Sequence, residues 1–424
     1  MLDINFIREN PEIVKKAAAD KLMAVDIDRL LILDEELRDI IKKIEDLRSD
    51  RNRISKLIPV CTDAKEKESY TATVKTIKSQ LVDLENSERE LREKFDDIML
   101  CVPSVPSPEV PIGKGEEDNV EIRRVGQVKK FDFEFRDHIA LCEMHDMVNM
   151  QNGAKISGSR SYFLKNDAVF LELAVCRFVL DFLASRGFVP MIVPQLVKEN
   201  AMRGTGYFPI GYDQAYKLPE DKLYLAGTSE VPLVSYHSDD VLSLSDLPIK
   251  YTGISCCYRR EAGTYGKDTK GLYRVHQFQK VEQVIFCEAD DKKAEELHYE
   301  ILANTEAILQ ALELPYRVCL ACTGEIGIGQ TRKHEVETWM PSRNAYCETH
   351  SCSTLGDFQA RRSNIRYRDA EDKMRYVYTL NNTGIASPRI LIPLLENHQN
   401  SDGTISIPKV LRPYMSGREF IGKK

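Results

Sequence analysis

Apolar positions recur along this chain in two regimes. Up to about residue 100 they step by three and four: Leu30, Leu33, Leu37, Ile40, Ile44, Leu47, Ile54 and Ile58, interrupted once by Arg51. A second seam runs through Val74, Ile77, Leu81, Leu84, Leu91, Phe95 and Ile98, with Glu88 in its gap. Such steps keep one helix face apolar, and a sustained heptad predicts a helix paired with another. Residues 59–65 break the pattern with a proline, which predicts an antiparallel helical hairpin with arms of roughly 45 Å at 1.5 Å per residue. Off the seam, the large apolar residues are few (Ile41, Leu57 and Val82 are the main ones), so the outer faces are expected to be wet. Ahead of the hairpin, Asn10 and Pro11 suit the N-cap and first turn of a short helix carrying Ile13, Val14 and Ala17.

Pro103, Pro106, Pro108 and Pro111 then mark an extended linker, because proline fixes φ and keeps its predecessor out of the helix. Beyond residue 115 the period changes to two, with β-like runs at 188–193, 223–225, 249–254, 283–287, 316–321 and 376–380. Pro190 puts the first of these at a sheet edge. Apolar helices are expected at 168–183 and 390–397. Strands not separated by regular helices predict an α+β fold with an antiparallel sheet, not a doubly wound parallel one. The domain reading is therefore a helical unit at 1–102, a linker at 103–115 and an α/β body at 116–424.

Composition narrows the function classes. The chain has 424 residues, 42% hydrophobic and 29% charged, and no apolar run near the roughly 20 residues that span a bilayer. A net charge of −7 argues against a protein coated in nucleic acid, though not against one gripping it through local basic patches such as Arg48, Arg51, Arg53 and Lys56 near the hairpin turn. Eleven cysteines without framework spacing read as reduced thiols of a cytoplasmic protein. Cys319 and Cys322 form one CxxC with no second pair, which does not make a zinc module. The glycines at 324, 327 and 329 read as a loop, and no phosphate-loop motif is present.

The stretch 257–282 concentrates the chemistry. Arg259 and Glu261 close one β-like run, and Gly263, Gly266 and Gly271 punctuate a loop. In the following run Arg274, His276, Phe278, Lys280 and Glu282 share a face, with Tyr273, Val275, Gln277, Gln279 and Val281 on the other. Guanidinium forks suit phosphate oxygens, an aromatic face suits a base, and carboxylates suit an ammonium group or bridging magnesium ions. The competing reading is a salt-bridged surface hairpin.

Residues 186–194, the 259–282 hairpin and 384–396 resemble motifs 1, 2 and 3 of the class II aminoacyl-tRNA synthetases. The finer text is similar to the seryl-tRNA synthetase family: Gly227-Thr228-Ser229-Glu230, 258–263, 271–278, 337–341, and 348–353 followed by Phe358-Gln359-Ala360-Arg361-Arg362. The resemblance covers nearly the whole chain, because that family also begins with a two-helix coiled-coil arm. It implies ATP-dependent activation of L-serine with Mg2+, transfer to tRNA(Ser), and a homodimer joined through the first motif. By motif position, Arg259 and Arg389 would be catalytic, and Thr228, Ser229, Glu230, Arg259, Glu282 and Thr383 would hold serine. Arg259, Arg260, Glu261, Val275 (through its backbone), Phe278, Glu348, Thr349, His350, Ser351 and Arg389 would hold ATP. Glu348 and Ser351 would hold magnesium, and the basic residues of the arm would meet tRNA. Departures from the family pattern fall at Asn382, Thr383, Pro388 and His350. Two other readings share the fold: a synthetase-derived binding protein without turnover, and an enzyme that activates serine for another acceptor.

Overall fold

The computed structural model describes residues 1–263 and 271–422; the middle of the glycine-punctuated loop, with Gly266, lies outside them. Two compact units emerge, residues 3–19 with 23–102, and residues 1–2, 20–22 and 103–424.

In the helical unit, α1 (Ile4–Glu9) and α2 (Pro11–Asp20) precede the long helices α3 (Ile27–Leu57) and α4 (Ala64–Met99). Asp26 and Asp63 cap the long pair through carboxylates that accept backbone N–H bonds, each worth about 1 kcal/mol. The two seams meet as expected: Ile44, Ile77 and Leu81 are buried together, with Ile40, Leu47, Ile54 and Leu84 packed around them. Arg48 reaches across to Glu85 at 2.8 Å. Arg8 holds buried Asp34 with a two-pronged contact of 2.6 and 2.8 Å. Asn10 departs from expectation. Its amide donates back to Phe6 O, closing α1 instead of capping α2.

The larger unit is built on eight strands: β1 (Val120–Val125), β2 (Val189–Ile192), β3 (Ile249–Tyr258), β4 (Gln277–Cys287), β5 (Tyr316–Leu320), β6 (Arg332–Met340), β7 (Ala345–Gly356) and β8 (Tyr378–Ser387). They are ordered β1-β5-β6-β7-β8-β4-β3-β2. Every pairing is antiparallel except β2 with β3, and β2 is an edge, as Pro190 requires. Helices α5 (Asp167–Ser185) and α6 (Asp291–Ala311) cover one face, where Val175, Val179, Leu183, Ile301 and Ile308 pack on Val281, Ile285, Val336 and Ile385. Each such burial stabilises by roughly 1.5–3 kcal/mol. Gly384 permits that contact, because a Cβ there would lie 3.1 Å from Val179 Cγ1 and from Val281 O. On the other face of β4, Val284 and Phe286 pack on Leu233 and Val234. The same face nearer the strand's start is left for polar side chains.

Two expectations change. The run read at 273–281 becomes a strand only from Gln277, because Tyr273 O is taken by Arg389 and His276 N by Arg160 O. It then continues through 283–287 as one strand. The central hairpin β6–β7 was not legible as strands at all. His334, Glu335, Glu337, Thr338, Thr349, His350 and Ser353 are buried there, so polar residues occupy both faces and the alternation vanishes. The proline-rich stretch is extended, yet it lies along the larger unit: Ser104 and Ser107 donate to Ile328 O and Thr331 O at 2.8 Å, and Val110 packs on Ala321 and Ile326.

Candidate active site

Strands β3 and β4 pair with Cys257 opposite Phe278 and Gly253 opposite Glu282. This register sets the ends of motif-like residues around a cavity of about 570 Å3. Arg259 leaves β3 with its Nε donating to Gly227 O at 3.3 Å and its guanidinium 5.1 Å from the Phe278 ring centre. Glu261 takes a left-handed φ of +52° and accepts from Arg274 at 2.8 Å. Two residues past the end of β8, Arg389 donates to Tyr273 O and Glu348 O, each at 3.1 Å, and lies 3.6 Å from the Glu348 carboxylate. The Tyr273 ring carries Arg389 at 4.4 Å and Arg343 at 3.9 Å. Both contacts are cation–π in kind, and they hold the two guanidiniums in place without neutralising them. Arg259, Glu261, Phe278, Glu348, Ser351, Thr383 and Arg389 all line this one cavity.

Behind the wall lies a buried charge cluster. Lys280 lines the cavity, pairs with Glu282 and donates to Thr228 Oγ1 at 3.3 Å. Burial pushes the Glu282 carboxyl up, to about 7, although Lys280 pulls it the other way. Glu230 accepts from Gln359 at 2.7 Å and Asn381 at 2.8 Å on one oxygen, and from Tyr207 at 3.1 Å on the other. Its carboxyl is also pushed up by burial, and the Gln359 bond is the largest influence opposing the rise. Both carboxyls lie within reach of the single Lys280 ammonium, which opposes the rise caused by burial.

Val275, Thr349 and His350 also line the cavity, whereas Thr228, Ser229, Glu230, Arg260 and Glu282 do not. Ser229 is fully buried, with its hydroxyl 3.2 Å from Gly253 O and 2.7 Å from Ser255 Oγ, so it ties the chain to β3 and presents nothing to a ligand. Arg260 is exposed and turned toward Asp213 O. The Thr349 hydroxyl is spent on Thr338 and Val336 O, and the His350 ring is buried with Nδ1 2.9 Å from that hydroxyl. Burial drives His350 down to about 3, so it stays neutral. Asn382 faces α6, bonding to Ile301 O and Thr305, away from the cavity. Val275 is buried and reaches the cavity wall. The helix α7 (Phe358–Ser363) precedes β8, and α8 (Leu391–Asn397) follows it, starting two residues past Arg389. The N–H groups of residues 390–392 already bond to carbonyls of residues 386, 388 and 389, so the start of α8 adds little to the attraction of Arg389 for an anion. Sequence reasoning assigned no role to Lys280, Tyr207, Tyr273 or Gln359. Lys280 could have been found from its place on the polar face of the strand.

The donor set also bears on magnesium. Glu348 keeps a side chain 43% exposed beside the arginines, and Ser351 stands across from Glu335 in the β6–β7 register. Among the described residues no three His, Cys, Asp or Glu side chains form a metal cage. A single carboxylate with a hydroxyl suits an octahedral ion that arrives with phosphates and keeps its own waters.

Such a site, on an antiparallel sheet with arginines from two motifs, belongs to a class II aminoacyl-tRNA synthetase, and residues 215–398 match the class II core domain (G, H, P, S and T). Residues 1–106 match the seryl-tRNA synthetase N-terminal domain. The chain belongs to the seryl-tRNA synthetase family: it is 46% identical over 423 residues to a serine-tRNA ligase of Deinococcus radiodurans, covering 100% of this chain and 99% of that one. Among solved structures, the seryl-tRNA synthetase of Pyrococcus horikoshii complexed with ATP aligns with a TM-score of 0.90 at 40% identity, covering 99% of both chains. The cytoplasmic serine-tRNA ligase of Naegleria fowleri with AMP aligns at 0.87 and 31%, covering 99% and 98%.

Proposed function

We propose that this chain activates L-serine with ATP and transfers the seryl group to the 3′ end of tRNA(Ser). The observation that carries the reading is the convergence of Arg259, Phe278, Glu348 and Arg389 on one cavity lined also by Lys280 and Thr383, with Glu282 paired to Lys280 behind its wall. In the first step a serine carboxylate oxygen attacks the α-phosphorus, an acyl–phosphate bond forms, and the bond to pyrophosphate breaks. A carboxylate needs no base at neutral pH, so the site's task is alignment and stabilisation of phosphate charge. Arg259, fixed by Gly227 O, meets the α-phosphate; Phe278 stacks on adenine; Arg389, held on Tyr273, meets the far phosphates. In the second step a terminal ribose hydroxyl attacks the seryl carbonyl and AMP leaves. Glu348 and Ser351 would hold Mg2+, which supplies further charge compensation on the phosphates. Thr228, Glu230 and Glu282 hold the ammonium side of serine, and Thr383 the hydroxyl, so alanine is rejected for leaving polar groups unpaired.

The helical hairpin is the tRNA arm in this reading. Arg53 is paired locally with Asp50 and Arg48 with Glu85, at exposed sites where such pairs exchange readily for phosphate. A homodimer is supported by exposed apolar side chains on α5 and β2: Phe170, Leu173, Val189 and Ile192, the last 88% exposed. Among the described residues no helix is long and apolar enough to cross a membrane, and we place the enzyme in the cytoplasm. Serine-dependent exchange of pyrophosphate into ATP, followed by charging of tRNA(Ser), tests the function. Exchange without charging would favour activation for another acceptor, and neither would leave a binding protein.

A further inference from the structure

We infer that Gln359, outside the cavity and on a helix with no role in the proposed reaction, is a positioning residue that holds Glu230 as an oriented carboxylate for the substrate ammonium. The inference rests on serine activation being the reaction of this site. Gln359 stands at the second position of the six-residue α7, 1% exposed. Its amide is oriented at both ends. Its Oε1 accepts from Thr379 Oγ1 at 2.7 Å, which turns Nε2 toward Glu230 Oε1 at 2.7 Å, with Thr205 O at 3.2 Å as a second acceptor. An amide whose oxygen is claimed by a hydroxyl donor offers only N–H to its other neighbour, and an N–H favours the ionised form of a carboxyl. The relay Thr379–Gln359–Glu230 therefore fixes the rotamer of Glu230 and favours its ionised form against the effect of burial.

The groups facing Glu230 show why the relay matters. Lys280 and Glu282 approach from β4, Arg259 from the end of β3, Tyr207 from the loop before residue 208, and Asn381 from β8. Glu282 repels a second charge on Glu230, and burial disfavours it too. Tyr207 lines the cavity and donates to the other carboxylate oxygen, where a ligand can displace or share it, while Asn381 shares Oε1 with Gln359. Gln359 is buried and does not line the cavity, so its bond persists when serine enters. Removing it should weaken the grip on the ammonium group and leave the nucleotide contacts of Arg259, Phe278 and Arg389 in place.

The test is pyrophosphate exchange by the full-length enzyme carrying Gln359→Met, which keeps the length and removes both bonds, and separately Thr379→Val, which frees the amide to turn over. The expected result for Gln359→Met is a serine KM raised about tenfold or more, the scale of a lost bond to a charged group, with the ATP KM within about twofold. The acid limb of kcat/KM for serine should move to higher pH, because Glu230 then protonates more readily. Thr379→Val should shift both quantities in the same direction by less. Equal rises in both KM values, or an unmoved acid limb, would mean that Gln359 only braces α7, and would overturn the inference. If Gln359→Met does not fold, the Thr379→Val profile decides alone: unchanged serine KM and acid limb sink it. Absence of serine-dependent exchange in the unmodified enzyme would instead defeat the functional reading beneath it.

Discussion

Glu282→Gln should make this protein more stable at pH 8 and inactive in serine activation. The Glu282 side chain is buried beneath the cavity, 1% exposed, with Lys280 against it. Desolvation outweighs that attraction, and the carboxyl sits at about 7 instead of the ordinary 4.5. In the folded state the group therefore keeps a proton that the unfolded chain has already released between these values. Its contribution to stability is intact below about 4.5, falls as the pH climbs to about 7, and is lowest and constant above that. A shift of this size at about 1.4 kcal/mol per unit amounts to roughly 3 kcal/mol at pH 8. Glutamine keeps the shape of the neutral acid, so Glu282→Gln should recover most of it. For a unit of about 320 residues that is a melting temperature higher by about 4–5 °C at pH 8, shrinking to about 1 °C near pH 5. Differential scanning calorimetry at both pH values reads the difference, and pyrophosphate exchange reads the lost activity. A variant less stable than the parent at pH 8 would show that the Lys280 attraction exceeds the desolvation cost, and the account of the pocket floor would be wrong.

Arg259→Ala should cost about 10²–10³ in the exchange rate, since the guanidinium stacked on Phe278 is the one set to meet developing phosphate charge; normal exchange refutes its role. In the arm, Arg48→Glu with Arg53→Glu should raise the KM for tRNA(Ser) severalfold, more at low salt, and leave exchange untouched. A parallel loss of exchange would contradict the division of labour. Gly384→Ala should destabilise by about 1–3 kcal/mol, because the new methyl meets Val179, Leu183 and Val281 O at 3.1–3.2 Å. An unchanged melting temperature would mean that α5 can give way.

What the sequence reveals depends on whether a residue's partner is local or distant. The heptad seams of α3 and α4 were legible because a helix facing a helix needs nothing but its own period, and Ile44, Ile77 and Leu81 meet where the period puts them. The face of β4 carrying Phe278, Lys280 and Glu282 was legible for the same reason. The hairpin β6–β7 was not, since buried polar residues on both faces erase the alternation that marks a strand. Within the site, order along the chain identified Arg259, Glu348 and Arg389 as one set, and the cavity brings them together. It could not say that Ser229, beside Thr228 and Glu230, spends its hydroxyl on Ser255 across a strand. Nor could it say that Gln359, 129 positions from Glu230, spends its amide on that carboxylate. A hydroxyl or an amide has no preferred direction in a sequence, and its bond is decided by whichever backbone the fold brings alongside. Residues that touch a charged ligand are constrained by chemical type and so leave a pattern; those that orient them are constrained by geometry, which appears only once β8, α7 and the Glu230–Ser235 helix have been assembled.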